Sequence, residues 1–158
     1  MTWEVRLDAL WALVDDLDED EFRRRMDELT AELGPDSAVA AYERGSAFDS
    51  TGHPDLAVPF YERALELGLG EDRRRPAVIQ MASSLRNLGR VDESVALLIA
   101  ERECTADELD DAVSAFLAFA LVDAGRAREG AGIALAALAP HLSRYQRSVA
   151  NYARDLTE

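Results

Sequence analysis

Lysine is absent. All 17 basic residues are arginine, 31 residues are acidic, and the formal net charge is −14. A field of that sign repels phosphate backbones, whose recognition rests on neutralising them with basic side chains, so neither nucleic acid nor an anionic membrane is expected as a partner. A single cysteine, Cys104, rules out an internal disulfide and fits a reducing cytoplasm. The only two histidines, His53 and His141, each adjoin a proline at an expected helix boundary, with no second ligand at a zinc-site spacing. They read as capping or surface residues. Long apolar runs are missing too. The longest, Ala112 to Val122, is too short to span a bilayer and is bounded by Asp110, Asp111 and Asp123. The opening MTWEVRLDALWALVDDLDED lacks the basic start and apolar run of a secretory leader. Together these absences predict a cytoplasmic chain.

Signatures of chemistry are equally scarce. There is no glycine-rich phosphate loop and no nucleophile elbow. Cys104 lies among Glu101, Glu103, Asp107 and Glu108, which oppose thiolate formation. The following Thr105 and Glu108 have the spacing of a capping box, and Cys104 reads as structural or incidental. The acidic run DDLDEDE, Asp15 to Glu21, lacks the alternating oxygen ligands and central glycine of a calcium loop, and reads as a solvated corner. The basic runs Arg23 to Arg25 and Arg73 to Arg75 read as exposed faces that compensate neighbouring acids; the alternative is an arginine fork for a partner's carboxylates. The reading is therefore non-enzymatic, with no catalytic residue, no cofactor and no metal.

What the chain does have is hydrophobic periodicity. Residues of that class make up 48% of 158, enough for one ordinary domain with a real core. Gly52, Gly89 and Gly125 stand 37 and 36 residues apart, each between two apolar stripes. Before them run Ala41, Gly45 and Phe48; then Val78, Met81, Ala82 and Leu85; then Ser114, Leu117, Ala118 and Leu121. After them come Ala57, Tyr61, Ala64 and Leu65; then Val95, Leu98 and Ile99; then Ile133, Ala134, Ala137 and Leu138. Spacings of three and four put each set on one helical face. Each unit is thus helix, glycine corner, helix. Glycine suits the corner because it accepts positive φ at little cost, and small residues at Gly45, Ala82 and Ala118 let paired helices approach closely.

These residues resemble the tetratricopeptide repeat. Gly45 with Phe48, Ala57, Tyr61 and Ala64 match its pattern best. Ala82, Leu85, Ser94 and Leu98 continue it, as do Ala118, Leu121, Gly130, Ala134 and Ala137, with Pro140 closing. Ala41, Val78 and Ser114 stand where the family places tryptophan, Glu101 stands in place of a small alanine, and both periods exceed the usual length of about 34. The likeness runs from about Ala38 to Pro140. It implies an all-α, right-handed α-α superhelix, a solenoid of about nine helices. On this reading residues 38–70, 73–104 and 105–139 are repeats. Residues 1–37 form a degenerate N-terminal helix pair, with a helix over Thr2 to Leu17 and Asp18 and Glu21 as a capping box. Residues 140–158 are a C-terminal capping helix, with Leu142, Tyr145, Val149, Tyr152 and Leu156 on its packed side.

The resemblance also implies a peptide groove lined by the first helix of each pair: Tyr42, Ser46, Asp49 and Ser50; Ile79, Ser83, Arg86 and Asn87; Ala115, Phe119, Val122 and Asp123. Tyr42, Ser46 and Ser83 are not basic, so the family's clamp for acidic C-terminal peptides is not expected. The implied function is a scaffold that binds another protein or peptide. The competing expectation is a homodimer built through terminal helices carrying Trp3, Trp11, Tyr145 and Tyr152.

Overall fold

A computed structural model describes residues 1–104 and 107–158; Thr105, and with it the expected cap after Cys104, lies outside them. The three corner glycines share one geometry: φ is +77° at Gly52, +77° at Gly89 and +76° at Gly125. In each, the residue after glycine donates its amide back five residues, His53 to Phe48 (2.9 Å), Arg90 to Leu85 (2.9 Å) and Arg126 to Leu121 (2.8 Å). This is the Schellman closure of a helix C-terminus, which only a left-handed residue permits. Gly68 (φ +79°) closes a fourth helix through Leu69 and Ala64 in the same way.

Among the described residues the chain is all-α: α1 (Trp3–Trp11), α2 (Glu19–Ala31), α3 (Ala38–Ser50), α4 (Pro54–Glu66), α5 (Glu71–Asn87), α6 (Val91–Cys104), α7 (Asp110–Asp123), α8 (Ala127–Leu138) and α9 (Gln146–Thr157), with a 3-10 turn at Ala139–His141. No helix among them is long and apolar enough to cross a membrane. Two compact units divide the chain within α5, residues 1–84 and 85–158.

In residues 1–84, α2 packs on α1 and α3, and α3 on α4. Thr2 caps α1 and Asp18 caps α2, the latter by accepting from the amides of Asp20 and Glu21. Contrary to expectation, α1 stops at Trp11. Residues 12–17 continue as a tighter turn, with amide bonds such as Val14 to Trp11 and Asp16 to Leu13. Asp15 and Asp16 would have put two carboxylates against the negative end of a longer helix. Glu21 likewise does not complete a capping box; its carboxylate takes Arg24 and Arg25 instead. Leu7, Leu10, Phe22, Met26, Leu29 and Ala47 form one cluster of the core, with Trp3 and Trp11 packed against it. The Trp3 indole donates to the Leu29 carbonyl at 2.9 Å. At the α3–α4 crossing, a Cβ on Gly45 would stand 3.0 Å from the Tyr61 ring, so glycine is what lets that buried aromatic come this close to α3.

In residues 85–158, α7 packs on α6 and α8, and α8 on α9. Close approach here comes from α8. A Cβ on Gly130 would meet the Ala118 carbonyl at 2.8 Å, and one on Gly132 the Ala153 carbonyl at 2.7 Å. The last helix starts later than expected, after Tyr145 in the left-handed region (φ +69°). Its packed side is Val149, Ala153 and Leu156, whereas Tyr145 and Tyr152 are about 70% exposed. Small Ala153 faces α8 because α8 comes too close for a tyrosine. Of the aromatic residues expected to pair the terminal helices of two copies, Trp3 and Trp11 are thus packed against the core of residues 1–84, while Tyr145 and Tyr152 stand at the surface of residues 85–158.

The arginine runs split. Arg24 and Arg25 are exposed and paired along α2 with Glu21, and Arg24 also with Glu28. Arg23 is half-buried over the Phe48 ring, 5.9 Å from its centre. Arg75 is buried and Arg73 and Arg74 are half-buried, so the second run is not a solvated face. His53 precedes Pro54 at the start of α4 without capping it and packs edge-on to Phe48. His141 lies at the surface, 2.8 Å from Asp111, and Cys104 is exposed.

Candidate functional site

Three of the residues expected on the α3 face, Tyr42, Ser46 and Asp49, lie a turn apart and line a single pocket of about 530 Å³ within residues 1–84, together with Ser50. Tyr61 of α4 closes one side. Asp72, Arg73 and Gln80 of α5 and Leu7, Asp8 and Trp11 of α1 supply the rest, with Glu43 of α3. Its volume is that of an ordinary ligand site, about 300–1,000 Å³.

The polar groups form a connected frame. The Gln80 side-chain carbonyl accepts from Ser46 Oγ at 3.0 Å and from the Tyr61 hydroxyl at 2.9 Å. Asp49 takes the Ser84 hydroxyl at 2.8 Å and the Tyr61 hydroxyl at 3.3 Å. Glu43 accepts from the Trp11 indole at 2.9 Å, and Arg73 Nε lies 3.5 Å from its other oxygen while also reaching Asp72 at 2.8 Å. The Tyr42 and Tyr61 rings stand 6.2 Å apart.

Burial dominates the electrostatics. It raises the carboxyls of Glu43 and Asp49 above the ordinary range, against the opposing pull of Trp11 and Arg73 on Glu43 and of Ser84 and Tyr61 on Asp49. Burial also raises both phenols, Tyr61 strongly, with a neighbouring carboxylate adding to each: Glu43 beside Tyr42 and Asp49 beside Tyr61. Four carboxylates and one guanidinium therefore line a half-dry cavity, in which the hydroxyls of Tyr61 and Ser84 hold Asp49.

The other expected groove residues lie elsewhere. Ile79 is buried in the core and Ser83 is half-buried outside the pocket, while their neighbours Gln80 and Ser84 bond the α3 face. In residues 85–158, Arg86 lies over the Phe119 ring (5.4 Å) and 3.4 Å from Asp123. Phe119 and Val122 are more than half exposed, and Asn87 is exposed at the end of α5. Sequence reasoning missed Trp11, Glu43, Tyr61, Arg73 and Gln80. The signal for Glu43 was its stripe with Ser46 and Ser50, at i, i+3 and i+7. For Tyr61 it was a phenol on an otherwise apolar face, whose hydroxyl needs a buried partner.

Helical hairpins closed by equivalent glycine corners define a helical-repeat protein. The family model described as Tetratrico peptide repeat matches residues 38–156, and the chain belongs to that family. A comparison with curated proteins finds no match. Repeats of this family generally mediate protein–protein interaction, and its members are typically non-enzymatic scaffolds.

Proposed function

We propose that this chain is a non-enzymatic scaffold that binds another protein or a peptide through the faces of its first helices, α3, α5 and α7. The observation carrying this reading is the pocket of residues 1–84, where Tyr42, Ser46 and Asp49 combine an aromatic wall with hydrogen-bonding groups, the mixture by which protein sites fix a ligand's orientation. The exposed Phe119, with Arg86 over its ring, offers an aromatic–arginine pair of the kind enriched at interaction hot spots. The internal bonding also suits a scaffold better than an enzyme: the Ser46 hydroxyl is spent on an amide, and the Ser84 hydroxyl beside Asp49 is fully buried. A nucleophile must reach its substrate.

The test is selection of binding peptides on the full chain, repeated with Ser50→Arg at the pocket rim and with Phe119→Ala, both at exposed positions. Loss of binding in either variant, with unchanged circular dichroism, is the expected result. Binding indifferent to both would overturn the assignment of these faces.

A further inference from the structure

We propose that the pocket of residues 1–84 seats the guanidinium of an arginine side chain on the bound peptide, with Asp49 as its counter-charge and the aromatic wall of Trp11 and Tyr42 beside it. The proposal rests on the peptide-binding reading above and names the chemistry of that peptide.

Three observations converge on it. The pocket has room for a long side chain, and its lining is acidic by four carboxylates to one arginine. Among those carboxylates, Asp49 is only partly exposed, yet among the described residues the side chains that hold it are hydroxyl donors, Ser84 and Tyr61. A carboxylate so placed has given up water without gaining a cation, and a ligand that brings one recovers that cost. The third observation is Arg73. This guanidinium of the pocket lining already lies against the Glu43 carboxylate and bonds Asp72, so the cavity accommodates the group it is proposed to bind.

Arginine fits better than lysine. Its planar fork pairs with carboxylates bidentately, stacks on aromatic faces, and is less strongly hydrated than an ammonium, so it enters a half-dry cavity at lower cost. An acidic peptide meets the opposite: each of its carboxylates would join four others.

The experiment selects peptides from a random displayed library on the full chain. Each enriched peptide is then synthesised with its arginine kept, or replaced by citrulline or lysine. Binding is followed by tryptophan emission, since of the two tryptophans Trp11 lines the pocket and Trp3 does not. The expected result is enrichment of arginine, weakening of about tenfold or more on replacement by neutral citrulline, and a smaller loss with lysine. Asp49→Asn abolishes the arginine preference, whereas Arg73→Ala, which removes the resident competitor for Glu43, tightens binding. Should Asp49→Asn fail to fold, the citrulline and lysine peptides on the unaltered chain still decide whether the charge and the fork are required. Enriched peptides without arginine, equal affinity for arginine and citrulline, or equal affinity for arginine and lysine would overturn the proposal and leave peptide binding standing. A library that yields no binder at all would instead overturn the peptide-binding reading itself.

Discussion

Residues 1–84 and 85–158 close their corners identically and pack their helices by opposite means. In the first unit, Gly45 makes room for a bulky side chain, and Tyr61 fills it, with its hydroxyl reaching Asp49 and Gln80. In the second, Gly130 and Gly132 admit neighbouring backbones instead, with carbonyls at distances that leave no place for a Cβ. The first arrangement sets aromatic rings and polar groups around a cavity; the second draws α7, α8 and α9 together and leaves an aromatic side chain, Phe119, outside. The same corner chemistry thus supports a unit with a lined pocket and a unit with a tight spine. What separates them is the size of the residue placed opposite each glycine.

The sharpest way to break this contrast is Tyr61→Ala. Emptying a fully buried aromatic site should cost about 3–5 kcal/mol in denaturant unfolding, and hydrogen exchange should quicken mainly in residues 1–84. Uniform loss of protection along the chain would argue against a local role. Next is Gly130→Val, where overpacking against the Ala118 carbonyl should cost about 1–3 kcal/mol, with exchange quickening in residues 85–158. An unchanged stability would mean that α7 and α8 separate freely. Smaller again is Tyr61→Phe, which keeps the ring but removes the donor to Asp49 and Gln80; about 1 kcal/mol should be lost. If its cost equals that of the alanine variant, the hydroxyl rather than the ring holds α3 and α4 together.

Acidity offers a subtler comparison. Because burial raises the Glu43 and Asp49 carboxyls, the folded chain holds those protons more tightly than the unfolded chain does. Their contribution is present in acid and is lost as pH rises through the raised folded values. Glu21, Glu32 and Glu93 behave oppositely, since hydrogen bonds from Arg25 and Arg24, from Arg6 and from Arg90, respectively, lower them; what they add is lost as pH falls through the lowered values. Asp49→Asn should therefore remove part of the gain on the acid side, measured as denaturation midpoints followed from neutral to acid pH. An unaltered profile would show that Asp49 does not titrate in that range. The smallest effect is expected at Phe119→Ala, within about 0.5 kcal/mol of the parent in stability. A larger loss would mean that this ring supports the fold rather than standing ready for a partner.

Much of this architecture was legible in the sequence, and the reasons are local. Gly52, Gly89 and Gly125 announce their corners because few other residues tolerate φ near +77°. On α3 three pocket-lining residues could be picked out, since Tyr42, Ser46 and Asp49 fall on one polar stripe, with Ala40, Arg44, Ala47 and Phe48 across the helix. On α5 the orientation could not be read the same way. From Arg75 to Leu85 most positions are buried, so the contrast between wet and dry sides disappears, and the selection of Ile79 and Ser83 stands one residue away from Gln80 and Ser84. One residue on a helix is about 100° of rotation. Arg75 escaped for a related reason: a run of like charges reads as solvated, and nothing in the run itself says that its last member turns inward. At the chain's end, tyrosines fit the apolar period, but the size limit set by Gly132 in a different helix decides which residues of α9 face inward.

Gly130 and Gly132 sit two positions apart on α8 and serve different neighbours, one toward α7 and the other toward α9. Inserting or deleting a single residue between the start of α8 and this pair would swing both contacts around the axis together, presenting side chains to two carbonyl groups at once. Variation in chain length through descent should therefore be confined to the bends between helices. α8 is then a natural ruler against which distant members of the lineage can be aligned.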